Sequence, residues 1–173
     1  MKGKFTLPAL VSSAAVARAI MAGIPNLEPI TAFAMLAGLR YGPIQGFLTG
    51  SLALLLSDLY IGLPGPWTFF TFSAFGLVGF ISGFLPKSYI KDRKKLATSA
   101  AFLTLLYQVI VNSAWPLITG QSLLLATIMA IPFAAIQIIG NTVIVPLCLP
   151  HAALFIDVVK DKVEEISKAV YLT

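Results

Sequence analysis

Long apolar runs separated by a few short charged clusters organise this chain. Leu96 to Ile156, 61 residues, contain no Asp, Glu, Lys or Arg, which as helix would extend roughly 90 Å against a hydrocarbon layer of about 30 Å. Such a run must cross more than once. The turn is predicted at Trp115, Pro116 and Gly120, because Trp suits a membrane interface while Pro and Gly interrupt a helix. Helices over 97–115 and 122–146 follow. Between Asp58 and Lys87 lie 28 uncharged residues, but Gly62, Pro64, Gly65 and Pro66 break the first part and leave a span over 67–85. Residues 43–57 and 5–22 make two further spans, and 29–39 is apolar but short, either a tilted partial span or a helix buried among others. The pattern predicts an all-α membrane protein: one integral-membrane domain over 1–173, built as a compact bundle of six transmembrane helices.

Charge placement supports that count. With Lys2 and Lys4 inside, six spans put Arg40, the Lys87 to Lys95 loop and the tail lysines Lys160, Lys162 and Lys168 on one side, as the positive-inside rule requires. Both termini are then cytoplasmic, and the loops around 23–29, 58–66 and 116–121 face outward without a basic residue. From about residue 150 the apolar positions Phe155, Val158, Val159, Val163, Ile166 and Val170 alternate with charges at helical spacing, which predicts a short amphipathic cytoplasmic tail. The basic start and the Ala17-Arg18-Ala19 triplet loosely fit a signal peptide, but Ser12 and Ser13 weaken its apolar centre and favour a first span.

Composition narrows the function. The chain is 58% hydrophobic and 11% charged, with a mean hydropathy of +0.90, far from the roughly 25% charged of soluble domains. Its net charge of +5 is spread over short topogenic clusters rather than a stripe, so nucleic acid is not an expected partner. One cysteine, Cys148, and one histidine, His151, supply neither a disulfide nor a metal cage nor a nucleophile and base pair. No cofactor or metal is expected, and no enzyme. A P-loop for ATP, an internal repeat of the kind secondary carriers show and a channel pore signature are likewise missing from the sequence.

The candidate chemistry lies at the outer face. Arg18 falls about 20 Å along the first helix from Lys4, a costly depth unless it pairs with Glu28, Asp58 or a ligand. Asn26, Thr68, Asn112 and Trp115 gather at the same level, and Trp67 follows a Gly-Leu-Pro-Gly-Pro loop that presents it as a stacking edge for a flat ligand. Trp115 also suits an aromatic belt. Gly46 with Gly50, Gly79 with Gly83, and Ala15 with Ala19 are spaced for close helix approach. Gln108 with Asn112, and Gln137 with Asn141, share helix faces and serve either as interhelical glue or as pocket lining.

In order and spacing, Pro25-Asn26-Leu27-Glu28-Pro29-Ile30-Thr31, Gly42-Pro43-Ile44-Gln45-Gly46-Phe47, Ser57-Asp58 and Gly62-Leu63-Pro64-Gly65-Pro66-Trp67-Thr68 resemble the substrate-binding S components of energy-coupling factor (ECF) vitamin transporters. The resemblance implies a multi-pass subunit of the cell membrane that captures a vitamin-like molecule near its outer face. It also implies a transmembrane T component and two cytoplasmic ATPases as partners, and delivery by toppling in the bilayer. Ala15 and Ala19 match the family's Ala-x-x-x-Ala contact with the T component. The loop signatures are similar to members that take cobalamin or a related corrinoid. Riboflavin, thiamin, biotin, folate or a queuosine precursor, or a stand-alone carrier role, stay open as alternatives.

Overall fold

The computed structural model describes residues 6–24, 26–62 and 64–171, with side chains through Val159 and for Lys162. Lys2, Lys4, Pro25 and Leu63 lie outside the described residues, as do the side chains of Lys160, Val163, Ile166, Lys168 and Val170, on which the tail and topology expectations partly rest.

Six α-helices and one 3-10 turn make up the described residues: α1 (Thr6–Met21), α2 (Ile30–Tyr41), α3 (Pro43–Ile61), α4 (Thr68–Ser82), the turn Lys87–Lys91, α5 (Arg93–Thr119) and α6 (Leu123–Tyr171). All six predicted segments are helical. Only α3, α5 and the stretch Leu123–Val159 of α6 are long and apolar enough to cross a membrane on their own, while α1, α2 and α4 are shorter apolar helices. The alternative left open for 29–39 is settled by burial: Ile30, Met35, Leu36 and Leu39 are at most 2% exposed, so α2 is a helix enclosed by the others. The remaining core comes from Leu54 on α3, Phe75 and Val78 on α4, Leu96 and Leu103 on α5, and Val145 and Leu149 on α6.

Glycines let the backbones of α2, α3 and α4 come into direct contact. A Cβ placed on Gly46 would overlap the Gly79 carbonyl, one on Gly38 would meet the same carbonyl, and one on Gly50 would run into that of Phe75. Gly83 sits as tightly against Pro43. The small-residue spacing read from the sequence is thus internal packing, which lets dispersion contacts form along nearly bare helix surfaces. Gly42, at φ 98°, turns the chain from α2 into α3 in one residue, a conformation that excludes a Cβ at little cost only in glycine.

Two predicted boundaries move. The fifth helix, expected to end near 115, runs to Thr119, so that of the predicted break Trp115, Pro116 and Gly120 only the last ends it: Pro116 is carried inside the last turn of α5 and the left-handed Gly120 donates to the Pro116 carbonyl. The sixth helix, expected to end near 146, runs on through the tail as one helix, α6, which carries Pro132, Pro146 and Pro150 inside it. At its far part Arg40 of α2 donates to the Ala153 carbonyl and pairs with Asp157. At the start of α5, Asp92 caps the backbone N–H groups of Lys95 and Lys94, each at 3.1 Å. That bond from Lys95, ahead of the lysine charge, holds the Asp92 carboxyl below the usual carboxylate range.

Candidate functional site

Near the end of α1 the chain places a cation that the bundle must neutralise. Arg18 Nε lies 3.2 Å from Glu28 Oε2, and its Nη1 lies 2.7 Å from both Asp58 Oδ1 and the Ser57 hydroxyl. Ser57 Oγ in turn donates to the Leu54 carbonyl at 2.8 Å. Glu28 Oε1 accepts the backbone N–H of Ile30 at 3.1 Å, at the start of α2 where a helix dipole favours an anion. Thr68 Oγ1 donates to Asp58 Oδ2 at 3.3 Å and accepts the Gly65 N–H at 2.9 Å. One guanidinium thereby ties α1, the α1–α2 turn and α3, and Thr68 ties the α3–α4 loop to the same carboxylate. Of the partners expected for Arg18, both Glu28 and Asp58 are present.

Beside this knot is a cavity of about 450 Å³ lined by Trp67, Thr71, Val111, Asn112, Trp115, Gln121, Ala126, Met129 and Ala130. It lies between the start of α4, the last turns of α5 and the start of α6. The Trp67 and Trp115 rings stand 6.2 Å apart with planes 52° to each other, forming an angled aromatic wall. Trp67 is set by its loop: the Gly65 Cα lies so close to the indole that a Cβ there would strike the ring. Volume and lining suit a small organic molecule, mostly apolar walls with a few polar groups.

The predicted residues therefore divide. Trp67, Asn112 and Trp115 line the cavity. Arg18, Glu28, Asp58 and Thr68 form the ionic knot, where they bond to one another. Asn26 joins neither group and occupies the α1–α2 turn at φ 56°, a left-handed position that asparagine tolerates better than most residues. None of the described residues of the 23–29 loop, Asn26 included, lines the cavity. The expectation for Ala15 is corrected: it is 1% exposed and packs inside the bundle beside Leu10, Val11 and Ala14, so it offers no surface to another protein. Ala19 is half-buried, and the outward face of α1 carries Ser12, Ser13, Val16 and Ile20.

Sequence reasoning missed Thr71, Val111, Gln121, Ala126, Met129 and Ala130 as lining residues. Thr71 carried a usable signal, one turn after Trp67 on the same helix face. Gln108 and Gln137, left open between glue and lining, join across α5 and α6 with Gln108 Nε2 donating to Gln137 Oε1 at 2.6 Å. Asn112 Nδ2 donates to Gln108 Oε1 at 2.9 Å, and Asn141 Nδ2 to Thr104 Oγ1 at 3.0 Å.

Two curated relatives, both described as UPF0397 protein and both from Clostridium perfringens strains, are 36% and 35% identical over 99 residues, 56% of this chain and 52% of each relative. The chain thus spans about half the length of the curated relatives it matches. No solved structure shows significant similarity to it. The family described as ECF-type riboflavin transporter, S component, matches residues 7–156, nearly the whole bundle, and the chain belongs to that family.

Proposed function

We propose that this chain is the substrate-capturing subunit of an ATP-driven ECF-type importer, and that it takes up a flat heteroaromatic micronutrient of about riboflavin's size. The observation that carries the reading is the angled Trp67 and Trp115 pair beside Asn112 on a 450 Å³ cavity. Aromatic walls bind planar rings, and the cavity sits near the small end of the range, about 300–1,000 Å³, typical of small-molecule sites. A corrinoid, to which the loop signatures point, is a macrocycle carrying a nucleotide arm and overfills this space. The family's description, which names riboflavin, favours the smaller ring system.

In this reading the subunit performs no reaction. Energy comes from a T component and two ATPases, in keeping with the lack of a P-loop in the sequence. The distribution of basic residues supports both termini in the cytoplasm and the cavity toward the outside. With Ala15 enclosed, the partner-facing surface of α1 is the stripe of Ser13, Val16 and Ile20.

The test is mass spectrometry of molecules released from the purified protein, followed by titration of the emptied protein with riboflavin under tryptophan fluorescence. Trp67→Ala should weaken binding at least about fivefold, since ring stacking contributes about 1 kcal/mol beyond buried area. Unchanged affinity in Trp67→Ala would move the site away from the cavity.

A further inference from the structure

A chain of buried amides leads from the cavity into the bundle, and all of its bonds point the same way. Asn112 donates to Gln108, and Gln108 donates to Gln137. Gln108 is 8% exposed, Gln137 4% and Asn141 1%. At the far end two buried atoms find no partner among the described residues, Gln137 Nε2 and Asn141 Oδ1, a donor and an acceptor one turn apart on α6. Asn141 Nδ2, one turn beyond Gln137, donates to Thr104 Oγ1. With Gln108 Nε2 given to Gln137 Oε1, the Gln108 oxygen is left to accept from Asn112 Nδ2.

The consequence falls on the cavity. Resting on the reading of the cavity as the capture site, we propose that Asn112 Oδ1 is held as a hydrogen-bond acceptor facing the ligand, and that the ligand is recognised through an N–H of its flat ring system, such as an imide, lactam or ring amine. Asn112 lines the cavity while its nitrogen is committed to Gln108, so its oxygen is turned away from that bond. A second acceptor adds to the first. Pro116, four residues on, has no N–H to give to the Asn112 carbonyl, so this turn of α5 is rich in acceptors. An interhelical clasp alone would need only the Gln108–Gln137 bond; the extension to Asn112 carries the clasp's polarity to the ligand.

Two measurements on the full chain in detergent test this. The first needs no ligand: exchange of the Asn112 side-chain amide protons, followed by nitrogen-15 NMR. Exchange should be at least about tenfold slower in the wild type than in Gln108→Leu, and should remain slow in Gln108→Glu, whose carboxylate still accepts from Asn112. Equal rates in wild type and Gln108→Leu, or fast exchange in Gln108→Glu, would overturn the proposal. Gln108→Glu serves alone if Gln108→Leu fails to fold. The second compares riboflavin with riboflavin methylated at its imide nitrogen, by tryptophan fluorescence. Methylation should weaken binding at least about tenfold, because it removes the donor and leaves Asn112 Oδ1 unpaired. Equal binding of the two overturns the acceptor role while leaving the capture reading intact. If neither flavin binds while Asn112 stays protected, the acceptor assignment stands and riboflavin is removed as the substrate.

Discussion

Arg18 Nη1 and Asp58 Oδ1 lie 2.7 Å apart, joining the last turn of α1 to the last turn of α3 across 40 residues of sequence. Asp58 is 3% exposed, so the carboxylate has little water to fall back on. Arg18→Met should therefore destabilise the protein by about 3 kcal/mol, the lower part of the range for breaking a buried pair, because Glu28 and Asp58 are left facing each other. The double variant Arg18→Met, Asp58→Asn should recover part of that loss. Thermal unfolding in detergent checks both, and a single variant as stable as wild type would mean that the cation merely reaches water.

Gly46→Ala forces a methyl group into the Gly79 carbonyl, and neither helix backbone yields cheaply. The expected cost is about 1–3 kcal/mol. Gly23, whose added Cβ would meet nothing within 4 Å, provides the control, and Gly23→Ala should leave the melting temperature within a degree or so of wild type.

Gly65→Ala should act on binding and not on folding. The added methyl displaces the Trp67 ring, while Gly65 itself lies in a loop outside the α2–α3–α4 contact. Riboflavin affinity should fall at least about fivefold with little change in stability. Wild-type affinity in this variant would show that the position of the indole does not matter to the ligand.

Large residues on α1 should separate the inner face from the outer. Ala15→Trp overfills a site that is 1% exposed and should impair folding and binding together. Val16→Trp, at 54% exposed, should leave ligand binding intact and reduce transport by the assembled importer. The reverse result, with Ala15→Trp defective only in transport, would return the partner contact to the alanine register.

The proposed topology is checked by cysteine labelling in a Cys148→Ala background, which removes the exposed native thiol. A cysteine at Gly65 should react with an impermeant reagent applied to intact cells, and one at Lys91 should not. Labelling at Lys91 from outside contradicts the positive-inside assignment.

Helix number was legible because uncharged runs and broken loops are set by membrane thickness and by the backbone demands of Pro and Gly. The neutralisation of Arg18 was legible too, since a charge at that depth must find a partner. The orientation of Ala15 was not, because the few polar residues of α1, Ser12, Ser13 and Arg18, point to different sides of the helix and mark no single face as exposed. Nor was the end of α5: a proline in the final turn sacrifices one hydrogen bond, and only tertiary packing decides whether the helix stops there or at the next glycine. The cavity showed its aromatic corner, Trp67 and Trp115, in the sequence. Met129 and Ala130 escaped notice because small and flexible apolar residues look the same against lipid, core or ligand.

The unbroken course of α6 makes it a lever. Met129 borders the cavity and Asp157, 28 residues further along, is paired with Arg40, a separation of about 42 Å along the helix axis. If the cavity end is the pivot, a tilt of about 5° sweeps Asp157 through nearly 4 Å, on the order of the full reach of an ion pair. The Arg40 clasp is accordingly an angle gauge for the far end of the bundle, closed at one inclination of α6 and open at another.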